Sequence, residues 1–65
     1  MKPHQQRVVD EKSELDSKIE KLYDFIQRNP LFLSIDAEEQ ARLKHQHLVM
    51  SEYSSILGER ISFFN

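Results

Sequence analysis

Sixty-five residues allow one small domain, and a chain this short exposes too much surface for its volume to build a sizeable core alone. It has no cysteine, which excludes disulfide staples and thiolate metal sites and leaves efficient helix packing or self-association to stabilise the fold. Nine basic and eleven acidic side chains give a formal charge of −2, spread over both halves, so no field of one sign draws the chain to nucleic acid or to an anionic membrane.

The opening Met-Lys-Pro-His-Gln-Gln is polar and carries a proline suited to a helix start, and it reads as a frayed lead-in. From about residue 5 to 28 the apolar positions Val8, Leu15, Ile19, Leu22 and Ile26 keep helical spacing, interrupted only at Lys12, and predict a long amphipathic helix. Its other face mixes Glu14, Glu20 and Asp24 with Arg7, Lys18 and Lys21 and reads as a solvated surface. Asn29-Pro30 ends the helix, because proline disfavours the helical conformation of the residue before it and lacks an amide hydrogen. Leu31, Phe32, Leu33 and Ile35 make the connector of residues 29–36 unusually apolar, and they are expected to plug the closed end of a hairpin. Asp36 with Glu39 three residues later resembles a capping box.

A second helix is predicted from Ala37 to about residue 62, carried by Leu43, Met50, Leu57 and Phe64. Gly58 lies within it at a cost of about 1 kcal/mol relative to alanine, but Leu57, Ile61 and Phe64 keep their spacing across it and favour continuation. Folding about the connector sets Leu15 near Met50, Lys12 near Tyr53 and Val8 near Leu57. A second apolar row, Val49, Ile56 and Phe63, with Phe25 from the first helix, has no partner left within the chain. The fold class is therefore all-α: a single domain over residues 1–65, a two-helix antiparallel hairpin that dimerises or assembles further into a helical bundle, with these four residues as the oligomer interface.

The sequence has no glycine-rich loop, nucleophile–base pair or set of carboxylates at catalytic spacing, so it reads as a non-enzyme with no cofactor. His45 and His47 are two apart on a helix and diverge, which argues against a shared metal site. The basic stretch of Arg42 and Lys44, and a possible cavity lined by Lys12, Tyr53 and Arg60, are the candidates for holding a small anionic ligand. Lys12 needs a counter-charge, expected from Glu11, Glu52 or Glu59 if not from a ligand. The longest apolar runs, Leu31-Phe32-Leu33 and Leu48-Val49-Met50, are too short for a signal-peptide core or a membrane span, so a soluble intracellular protein is expected.

Arg7-Val8-Val9-Asp10-Glu11-Lys12-Ser13-Glu14-Leu15, then Lys18-Ile19, Lys21-Leu22 and Phe25-Ile26, resembles the opening of small helical proteins encoded by bacteriophages and prophages. Glu39-Gln40-Ala41-Arg42-Leu43, Gln46, Met50, Tyr53, Ile56-Leu57 and Glu59-Arg60-Ile61 are similar to the remainder of that pattern; Gly58 departs from it. The resemblance implies an accessory protein of the bacterial cytoplasm. The expected partners of such a protein are itself together with a host protein, whose activity it modulates; the alternatives are a small signalling nucleotide, which it sequesters, and a purely structural or regulatory helical bundle.

Overall fold

A computed structural model describes residues 1–64. It contains three helices and no strand among the described residues: α1 (Pro3–Arg28), α2 (Leu31–Ser34) and α3 (Ala37–Ser62). The two long helices pack antiparallel as a rod of 47 × 15 × 14 Å.

The helix ends follow from local chemistry. Pro3 occupies the first turn of α1, two residues before the expected start, where its missing amide hydrogen leaves no bond unmade. Gln5 folds back to accept the Lys2 amide at 3.1 Å and is buried doing so. Asn29, extended ahead of Pro30, ends α1, and its side chain accepts the Leu31 amide at 2.9 Å. That contact helps start α2, a single turn inside the connector that apolar spacing alone could not reveal. Asp36 caps α3 by accepting the Glu39 amide at 2.7 Å. The Glu39 carboxylate bonds Arg42 at the same distance. α3 runs unbroken through Gly58.

The core is thin. Val8, Leu15 and Leu57 form its buried centre, with Ile19, Met50, Ile61 and Phe64 packed partly buried around them. Phe32 alone of the four connector apolars is buried; Ile35 is half-buried, whereas Leu31 and Leu33 are 63% and 79% exposed. A one-turn helix can aim only one of three successive residues inward, so the expected four-residue plug is largely a one-residue plug. Gln40 tethers it by donating to the carbonyls of Phe32 and Ile35, at 3.0 and 2.7 Å.

Lys12 does not meet Tyr53. It crosses to Ser54, its ammonium 3.1 Å from the Ser54 hydroxyl, while Tyr53 is 41% exposed. The face of α3 turned to α1 is Met50, Ser54, Leu57 and Ile61, a helical row containing one small polar residue. A reading that follows apolar residues passes over serine and puts tyrosine in its place.

Candidate functional site

The most developed polar cluster between the helices joins Lys12, Asp16 and Ser54. Lys12 Nζ lies 2.8 Å from Asp16 Oδ2, one helical turn along α1, and the Ser54 hydroxyl donates to the other Asp16 oxygen. The aliphatic stem of Lys12 passes over Gly58, where an added Cβ would lie 3.3 Å from Lys12 Cε. Glycine thus gives the lysine its crossing path, a role for Gly58 that helix propensity cannot show. The counter-charge of Lys12 is Asp16, one turn along the same face of α1, and not Glu11, which points about 100° away on α1, or Glu52 and Glu59, which are exposed on α3.

The hydrogen bond from Lys12 holds the Asp16 carboxyl below its ordinary range, the Ser54 hydroxyl adds to that, and partial desolvation opposes it. A carboxylate with a lowered folded-state pKa stabilises the fold above its unfolded value of 3.8 and loses that contribution as pH falls through the folded value. We therefore expect the melting-temperature gap between the wild type and Asp16→Asn, followed by circular dichroism, to be widest at neutral pH and to close below pH 3.8. A gap independent of pH would mean that the ion pair contributes nothing.

The other expected ligand contacts lie apart. Arg42 is bonded to Glu39. Lys44 sits 5.9 Å above the Phe32 ring at the closed end, within cation–π range. Tyr53 and Arg60 lie on the outward face of α3, and Arg60 borders a shallow groove with Glu59, Phe63 and Phe64. Phe25, expected at an oligomer interface, meets Phe32 edge-on at 6.0 Å within the chain, while Val49, Ile56 and Phe63 are 47%, 54% and 83% exposed. His47, half-buried, meets the exposed Tyr23 ring across the helix pair, ring centres 5.6 Å apart and tilted by 39°. No group of three metal-ligating side chains comes together among the described residues.

A second shallow groove, at the closed end, is lined by Lys21, Asp24, Phe25, Arg28, Asn29 and Pro30. Lys21 and Arg28 are two turns apart on α1 with the half-buried Phe25 ring between them, and Lys44 lies across Phe32. Arg28 is loosely paired with Asp24 at 3.9 Å, both well exposed, so an incoming anion displaces a weak contact. Two cations flanking an aromatic face suit an anion that carries a ring. On sequence Lys21 and Arg28 look like ordinary solvated charges; the signal that marks them is their spacing of seven about Phe25, just before the break at Pro30.

Compared with known protein families, residues 2–63 match the model described as Sequestin. The chain belongs to the Sequestin family. None of the curated proteins and none of the solved structures compared matches it. The family match spans both long helices and the connector, so this Sequestin hairpin is one continuous unit of that family's pattern. No helix among the described residues is long and apolar enough to cross a membrane.

Proposed function

We propose that this Sequestin-family chain is a non-enzymatic, homo-oligomeric phage accessory protein that captures a small phosphate-bearing nucleotide in the bacterial cytoplasm and holds it out of solution. The observation that carries this reading is the closed-end groove, in which Lys21 and Arg28 flank the ring of Phe25. Phosphate oxygens bind the two cations and the base lies on the ring, a contact of about 1–3 kcal/mol per stacked base. The family description supports sequestration, which requires binding without turnover. The phage source rests on the sequence resemblance.

The test is thermal stabilisation across a panel of cyclic and linear nucleotides, with native mass spectrometry of protein purified without denaturation. A nucleotide at one hundred times its Kd raises stability by about 2.7 kcal/mol. In a domain of this size that is a melting-temperature rise of at least about 10 °C. Lys21→Ala/Arg28→Ala is expected to abolish the rise and leave the unliganded melting temperature within about 2 °C of wild type, because both side chains are exposed. An unshifted melting curve across the panel, with no retained ligand, would overturn the nucleotide reading.

A second reading, capture and modulation of a host protein, is favoured by one observation: Leu31 and Leu33 project from the hairpin tip, 63% and 79% exposed, as an apolar contact point. It predicts stoichiometric recovery of one bacterial protein from lysate, lost in Leu31→Asp/Leu33→Asp.

A further inference from the structure

The closed-end groove holds a negative charge of its own. Asp24 lines it together with Lys21 and Arg28. The three stand three and four residues apart on α1, so the carboxylate lies one turn from each cation, on the same side of the helix. Its Oδ1 is 3.9 Å from Arg28 Nε, too long for a hydrogen bond but close enough for charge attraction. Both side chains are more than half exposed, so water weakens that attraction. The groove also lies at the C-terminal end of α1, where free carbonyls add partial negative charge.

We propose that Asp24 is an autoinhibitory carboxylate, an internal competitor that attracts Arg28 in the empty groove and repels every anion that enters. This rests on the nucleotide reading above and adds to it the residue that limits affinity. A neighbouring charge acts on a ligand in proportion to the ligand's own charge. Removing the Asp24 charge therefore tightens a doubly charged phosphate by the square of the factor it gives a singly charged one. For an exposed pair that factor is about two. The opposite role, in which Asp24 steers the guanidinium toward the ligand, needs a hydrogen bond that 3.9 Å does not supply, and it carries the opposite sign.

Two probes that share a base and a sugar isolate the effect of charge: adenosine 5′-monophosphate, close to a dianion at pH about 7.5, and adenosine 3′,5′-cyclic monophosphate, a monoanion. Affinities are measured by amide chemical-shift titration, followed at residues 21–29, in the wild type, Asp24→Asn and Glu11→Gln. Glu11→Gln makes the same change in net charge from about 20 Å along α1, beyond the roughly 8 Å screening length at physiological salt. Both positions are exposed, and circular dichroism is expected to show the wild-type fold in each variant. Asp24→Asn is expected to bind the monoanion about twofold and the dianion about fourfold tighter than the wild type, and Glu11→Gln to leave both affinities as they are. Affinity unchanged or weakened in Asp24→Asn, equal gains for the two probes, or the same gains in Glu11→Gln would overturn the internal competition and leave the nucleotide reading standing. Binding of neither probe by wild type or variant would overturn that reading and this inference with it.

Discussion

Leu57→Ala is expected to bring the hairpin close to unfolding at room temperature. Among the described residues Leu57 is the one large side chain fully shut off from solvent, and Val8 and Leu15 complete the buried centre around it. Truncating a buried leucine costs about 2–5 kcal/mol, depending on how far the surroundings collapse into the space. With a core of this size there is little to collapse. At about 0.05–0.15 kcal/mol per residue, the whole stability of a chain this long is about 3–10 kcal/mol. Circular dichroism is expected to show a melting temperature lowered by at least about 10 °C. Ile56→Ala, one residue away on the 54%-exposed face, sets the contrast: in the isolated hairpin it is expected to shift the midpoint by no more than about 3 °C. Equal effects at the two positions would mean that the packing described for α1 and α3 is wrong.

Phe32→Ala is expected to destabilise by about 3–5 kcal/mol and to act at the opposite end of the rod. Phe32 is 4% exposed, meets the edge of Phe25, lies beneath the Lys44 ammonium, and through its carbonyl holds Gln40 of α3. It is the hinge pin of the hairpin, outside the cluster centred on Leu57. Its loss should therefore free residues 29–40 first. Amide hydrogen exchange is expected to accelerate there before it accelerates around Leu57. Leu33→Ala, at a site 79% exposed, is expected to change stability by no more than about 0.5 kcal/mol. Since Phe32 also backs the Phe25 ring, Phe32→Ala should weaken nucleotide stabilisation, whereas Leu57→Ala should spare it under conditions where that variant remains folded.

The candidate site was legible in parts. Lys44 stands out on sequence as one basic residue in a polar stretch; its place over Phe32 depends on how the connector folds back. Lys21 and Arg28 look like solvated charges until the break at Pro30 exposes the groove between them. Lys12 was marked by its intrusion into an apolar row, and its need for a counter-charge followed from the same chemistry. Which carboxylate meets that need depends on side-chain direction, and it is Asp16, one turn along and turned toward α3, that pairs with Lys12.

What the sequence by itself determined is the all-helical class, the break at Asn29-Pro30, the cap at Asp36 and the continuation of α3 across Gly58. These are local matters: proline chemistry, a carboxylate reaching an amide three residues on, and apolar spacing that repeats with the helical period. Only the tertiary structure decided that Ser54 rather than Tyr53 faces Lys12, that Gly58 is the groove for a lysine stem, and that one of four connector apolars is buried. The physical reason is common to all three. Helical periodicity names a face about 100° wide, but a choice between neighbours one residue apart is a choice of rotation and axial offset. Those are set by the volumes and hydrogen bonds that meet across the interface, here a small hydroxyl beside a carboxylate, and they exist only once both helices are in place.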